Sequence, residues 1–125
     1  MRHVALFVFN FEATVKFYTD ILKLVIEWQP DLDNVYLTSS NDNLALHRAP
    51  ESLQPNVHQR LDHIGFILET SQAVDDWYLY MQQQGCILLN SPKTHRDGAR
   101  SFYCSDPDGN RIQMIYHPPL SGRKD

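Results

Sequence analysis

Three polar side chains stand in runs that otherwise read as apolar strands: His3 in "RHVALFVF", His63 in "LDHIGFIL" and Gln113 in "RIQMIY". Two imidazoles and one amide oxygen are donors of the kind that hold a divalent metal. A single histidine in an apolar strand is more often a hydrogen-bonded core or surface residue than a ligand. What changes the weighing here is position, because the two histidines occupy corresponding places in a repeat.

The segment from Arg2, "RHVALFVFNFEATVKFYTDIL", aligns with that from Asp62, "DHIGFILETSQAVDDWYLYMQ". His63 falls over His3, Gly65 over Ala5, Ala73 over Ala13 and Tyr78 over Tyr18 at one constant offset. Each copy runs from an apolar strand into an amphipathic helix. Phe11, Val15, Tyr18 and Leu22 recur at helical spacing, as do Val74, Trp77, Tyr78 and Met81. Asn10 and Ser71 are the expected N-caps, and Gly85 supplies a C-terminal stop. The helical aromatics belong to the core stripe.

Three short strand-like runs follow each helix: "LVIEW", "NVYLTS" and "NLALHR", then "CILLN", "RSFYCS" and "RIQMIY". Turn formers in "PDLDN", "SNDN", "NSPKTHRDG" and "DPDGN" separate them. The expected order is therefore βαβββ twice in an α+β domain spanning residues 1–118. Module 1 covers about 2–48, a linker 49–60, module 2 about 61–117, and a polar tail 118–125. The final strands also correspond, Ala45 matching Gln113, and the second copy carries an insertion between Asn90 and Gly98. Alternation puts His3 and Ala5 on one face of the first strand, and His63 and Gly65 on the matching face of the fifth. Duplication implies a pseudo-twofold relation that brings His3 and His63 toward each other, with positions 45 and 113 beside them.

Composition narrows the function class. A net charge of −4 without a basic stripe argues against nucleic-acid binding. No apolar run reaches the ~18 residues of a membrane helix. The N-terminal stretch has no signal-peptide layout, and Cys86 and Cys104 lack CxxC spacing, so a cytoplasmic protein with reduced thiols is expected.

The stretches "HVALFVFNFEATVKFYTDIL", "DHIGFILET" and "SFYCSDPDGNRIQMIY" together resemble the vicinal oxygen chelate superfamily. That group includes glyoxalase I, fosfomycin-resistance transferases, extradiol dioxygenases, methylmalonyl-CoA epimerase and bleomycin-binding proteins. The likeness runs from His3 to Tyr116. It implies a glyoxalase-like fold: tandem βαβββ modules forming a cupped, incomplete mixed β-barrel with the helices outside. It further implies a divalent metal (Fe, Mn, Ni or Zn) at the base of a groove, in many relatives formed across a homodimer.

Carried over by position, the resemblance places metal ligands at His3, His63 and Gln113, the last where most active relatives have glutamate. A further ligand of the glyoxalase-like branch falls on Ala45. Neither Ala45 nor Gln113 can serve as a base at neutral pH, so isomerisation of the glyoxalase I type is disfavoured. Tyr103 matches a substrate-contacting tyrosine of the dioxygenase and fosfomycin relatives. His47, two residues beyond Ala45, is with Tyr103 a candidate catalytic residue. His95 and Arg100, together with Arg96, mark the inserted loop as a place to recruit substrate. His58 and His117 receive no role.

The expected function is a metal-dependent enzyme acting on a small oxygen-rich metabolite, by lyase or transferase chemistry or by extradiol-type ring cleavage. The alternative is a metal-free binding protein that sequesters a small molecule, like the bleomycin-resistance relatives. A third reading, a degenerate domain serving a protein partner, predicts a blocked groove.

Overall fold

The structure is a computed structural model that describes residues 1–54 and 61–121. His58, and parts of the expected linker and tail, lie outside the described residues. The chain divides into two compact units, Met1–Gln59 and Arg60–Asp125. The first contains β1 (His3–Val8), α1 (Phe11–Lys16), β2 (Val25–Trp28), β3 (Asn34–Thr38) and β4 (Asn43–Arg48). The second contains β5 (Ile64–Leu68), α2 (Ser71–Gln83), β6 (Ile87–Leu88), β7 (Lys93–Thr94), β8 (Arg100–Ser105) and β9 (Arg111–Tyr116).

Each unit is thus βαβββ, with β7 added in the second. Lys93–Thr94 pairs with β8 inside the inserted loop. A two-residue strand has no alternation to read, so the sequence does not announce it. The strand orders are β1-β4-β3-β2 and β5-β9-β8-β6. In both sheets the first strand lies parallel to the last, while the meander pairs are antiparallel.

The alternation expected of the strands is realised. Val35 and Leu37 of β3, and Ile112 and Met114 of β9, are buried, while Tyr36 and Gln113 between them face the other way. Facing the buried residues, the first helix contributes Phe11, Phe17, Tyr18 and Leu22, and α2 contributes Val74 and Met81. Tyr78 meets Phe102 edge-on at 5.3 Å. Each fully buried apolar side chain of this kind stabilises by roughly 1.5–3 kcal/mol, so each unit's core lies between its helix and one sheet face.

The helix ends carry two departures from the expected reading. The N-cap of α2 is Thr70 rather than Ser71: Thr70 is extended (φ −137°, ψ 158°), and its Oγ1 accepts from the Ala73 N–H at 3.0 Å. Only the last extended residue can turn its hydroxyl back onto the third helical N–H, and Ser71 is already helical. The first helix continues past Lys16 as a π-helical turn, Phe17–Ile21. At the end of α2, Gly85 (φ +75°) donates to the Gln82 carbonyl at 3.1 Å and Cys86 to that of Met81 at 3.0 Å, a Schellman closure.

The "DPDGN" hairpin joining β8 to β9 is built on a buried carboxylate. Asp106 accepts from the Asp108 N–H at 3.0 Å, the Asn110 N–H at 2.8 Å and the Asn110 side-chain amide at 2.9 Å. Gly109 (φ +89°) makes the left-handed step that closes the loop. In the first unit Asp42 staples the equivalent hairpin from its far end, accepting from Ser39 N–H at 2.7 Å.

Replacing Asp106 by Ala leaves the buried Asn110 N–H without its acceptor, and hydrogen bonds to charged groups contribute about 1.5–3 kcal/mol. The expected loss is about 3 kcal/mol in urea denaturation. Thr14→Val should move the other way by about 1 kcal/mol, because Thr14 Oγ1 is buried with no hydrogen-bond partner among the described residues.

Candidate functional site

The second unit gathers most of its polar chemistry on the sheet face turned away from α2. Gln113 of β9 lies between Gly65 of β5 and Tyr103 of β8, each directly opposite it in register. Gly65 has no side chain, and a Cβ there would sit 3.8 Å from the Gln113 amide oxygen, so the head group has room to turn. His63 meets Tyr103 edge-to-face at 5.4 Å. Its Nδ1 lies 2.6 Å from a carboxylate oxygen of Asp62. The other Asp62 oxygen is 4.0 Å from the Arg111 guanidinium, which in turn lies over the Tyr103 ring at 5.8 Å. The His63 hydrogen bond holds the Asp62 carboxyl below its usual range, with Arg111 adding to the effect. An ionised Asp62 accepts only, so Nδ1 carries the proton and Nε2 keeps its lone pair for a ligand.

The first unit repeats this logic through amides. His3 Nδ1 lies 2.8 Å from Asn43 Oδ1, and Asn43 Nδ2 donates to Glu27 at 3.1 Å. Because the amide must point its NH₂ at the carboxylate, its oxygen faces the ring and His3 is protonated on Nδ1. His47 is held in the same way. Its Nδ1 is 2.6 Å from Asn34 Oδ1, and Asn34 Nδ2 donates to Asp31 at 2.9 and 3.1 Å. Phe7 and Tyr36 flank His47 with ring centroids at 6.2 and 5.8 Å, and Trp28 stacks on Tyr36 at 5.1 Å. A register shift between Ile26 and Trp28 sets Trp28 opposite Tyr36.

His95 and Arg100 stand apart from these groups. His95 Nε2 is 3.1 Å from Ser101 Oγ, one pleat along β8 from Tyr103. Arg100 shares the helix-facing side of β8 with Phe102 and Cys104. Its guanidinium is taken up by Asp75 of α2, at 2.7 and 3.1 Å, and by Thr94 at 2.9 Å. It therefore offers no free charge to a substrate on the opposite face. The cation that does lie beside Tyr103 is Arg111. Both cysteines are free thiols. Burial raises the Cys86 thiol and, with the neighbouring Cys86 and Asp106, pushes Cys104 up to about 12.

Among the described residues, neither unit by itself gathers three His, Cys, Asp or Glu side chains into a cation-binding group. A model of the glyoxalase/bleomycin resistance protein/dioxygenase superfamily matches residues 1–114. The chain belongs to this superfamily, the vicinal oxygen chelate group. It is 25% identical over 114 residues to the metallothiol transferase FosB of Staphylococcus saprophyticus, covering 91% of this chain and 74% of the relative. It is 26% identical over 124 residues to the uncharacterised YqjT of Bacillus subtilis, covering 92% and 97%. In structure it matches a lactoylglutathione lyase from Agrobacterium tumefaciens with a TM-score of 0.73 at 21% identity, over 98% of this chain and 96% of the other. This superfamily member therefore has the glyoxalase fold as well as the matching sequence. No helix among the described residues is long and apolar enough to cross a membrane.

Asn43, Glu27, Asn34 and Asp31 have no signal in the sequence, and Asp62 and Arg111 stand beside predicted ligands without a role of their own. Arg111 was legible, since it precedes Gln113 by two in an alternating strand. The amide-linked partners depend on strand register, which local pattern does not supply.

The Arg100 hydrogen bond keeps the Asp75 carboxyl below its usual value. A depressed carboxyl stabilises the fold above its unfolded pKa, and the benefit is lost as pH falls through the folded one. Asp75→Asn should therefore cost about 0.5 kcal/mol at pH 6, in line with partly exposed ion pairs, and progressively less as pH falls below the ordinary aspartate pKa. Urea melts of both proteins across that range are the check.

Proposed function

We propose that the protein is a metal-dependent enzyme that transfers a thiol to a small oxygen-rich molecule, with His3, His63 and Gln113 as its metal ligands. The observation that carries this is the Asp62–His63 contact of 2.6 Å, which fixes an outward Nε2 lone pair on the face shared with Gln113 and Tyr103. The metallothiol transferase relatives support the transfer reaction over ring cleavage. The proposal concerns donor identity and holds whether the two units of a site belong to one chain or to two.

The donor chemistry fits a divalent cation. A carboxylate or amide behind each histidine is the arrangement that orients imidazole ligands and raises their basicity. Beyond its ladder pairing, Gln113 makes no hydrogen bond among the described residues, so its side-chain oxygen is uncommitted. When bound, the metal would act as a Lewis acid on a substrate oxygen. Asp62 and Asn43 hold the two rings, Gly65 leaves space for the Gln113 head group, and Arg111 over Tyr103 is the positive charge available to an anionic substrate group. Arg111 replaces Arg100 in that role. A neutral amide leaves less negative charge on the metal than a carboxylate would, and it cannot move a proton, which suits addition of a thiol better than isomerisation.

The same reading makes the protein a cytoplasmic homodimer. Its two free thiols support the compartment, and exposed Val25, Ile26 and Ile87 on edge strands β2 and β6 support the association.

Metal analysis of the untagged protein, expressed in supplemented medium, should find close to one Zn, Ni or Mn per site. His63→Ala should lose it, and Gln113→Glu should hold it about tenfold more tightly, because a carboxylate is the stronger ligand. Iron would favour ring-cleaving oxygenation instead. No metal in any of the three proteins, even after incubation with excess, sinks the proposal and leaves small-molecule sequestration.

A further inference from the structure

The first unit carries a polar relay that the metal reading does not use. Asp31 precedes β3, Asn34 opens it, and His47 lies directly opposite Asn34 in β4. The Asp31 carboxylate is fixed by the Asp33 N–H at 2.8 Å and takes both Asn34 amide contacts, at 2.9 and 3.1 Å. Asn34 must then present its oxygen to His47, whose Nδ1 is 2.6 Å away. A flipped amide would set its oxygen against the carboxylate. The imidazole is therefore locked as the Nδ1–H tautomer, and Nε2 is a fixed acceptor. Arg48, the next residue along β4, turns to Glu12 and Asp33 at 2.6 and 2.7 Å, so its charge is taken up away from His47. Phe7, 58% exposed, and Tyr36, with the 59% exposed Trp28 stacked on it, flank the ring as apolar walls.

We propose that His47 is the proton acceptor for the thiol co-substrate, and that Asp31 and Asn34 are the positioning residues that make it one. This rests on the thiol-transfer reading above. The S–H bond breaks, its proton passes to His47 Nε2, and a thiolate and an imidazolium remain; nothing is oxidised or reduced. The thiolate is the nucleophile, so its generation is the step that neither Ala45 nor Gln113 can perform. The flanking aromatics accept the apolar part of the thiol.

The test uses phenylmethanethiol at pH 7, an alkyl thiol that is almost wholly protonated there and whose thiolate has its own ultraviolet absorbance, mixed with the purified chain before and after treatment with a chelator. The wild-type chain should raise the thiolate fraction of bound phenylmethanethiol severalfold in both preparations, and His47→Ala should abolish the rise. A rise confined to the untreated protein and unchanged in His47→Ala belongs to a metal, which overturns the His47 assignment and leaves the metal proposal standing. No rise in the wild type also overturns it. Long-range ¹⁵N NMR of the imidazoles reads the relay separately. His47 should carry its proton on Nδ1, lose that preference in Asn34→Leu, and regain it when Asn34→Asp is combined with Asp31→Asn, which keeps an oxygen toward the ring and an amide donor behind it. A wild-type His47 protonated on Nε2 overturns the relay.

Discussion

Parallel pairing of the first and last strand in each unit is the constraint from which the chemistry follows. Because β1 lies beside β4 and β5 beside β9, residues from the two ends of a module become neighbours across a ladder. His3 meets Asn43, Phe7 meets His47, and Gly65 meets Gln113 only in that register. A slip of one residue would turn all of these side chains into the helix-packed core. The hairpins stapled by Asp42 and Asp106 help to fix the register, because each sets where the last strand begins.

On that frame the three histidines share one design with different materials. His63 is tied to a carboxylate directly, while His3 and His47 reach theirs through an asparagine. In each case Nδ1 is the donor, and Nε2 is left as the lone pair. A direct aspartate leaves its negative charge beside the ring. An intervening amide keeps that charge a residue away and transmits mainly orientation. The duplicated module has thus kept a geometry while changing how strongly each ring is polarised.

Much of the fold was legible because its signals are local. Alternation and turn residues marked the strands, helical spacing marked Phe11 to Leu22 and Val74 to Met81, and the two copies reinforced each other. The site was legible only as far as alternation reaches. It put His63 and Gln113 on corresponding faces, left Tyr103 to the family resemblance, and would have assigned Arg100 to the core side, since Arg100 precedes the core residue Phe102 by two. The choice of Thr70 over Ser71 as cap turned on one residue's backbone angles. The relays were beyond the sequence, because Asp31, Asn34 and His47 are united by strand pairing and by an amide orientation that no spacing encodes.

The two cysteines acquire a meaning from where they lie. A protein that works among small thiols also meets their oxidised forms, and any thiolate of its own is open to capture as a mixed disulfide. With its thiol pushed up to about 12, chiefly by burial, Cys104 stays protonated at pH 7. Cys86, half-buried at the end of α2, is raised in the same direction. Placing sulfur behind the sheet, on the side opposite Tyr103, makes the chain inert toward the chemistry it is proposed to handle. It is a form of self-protection that uses packing alone.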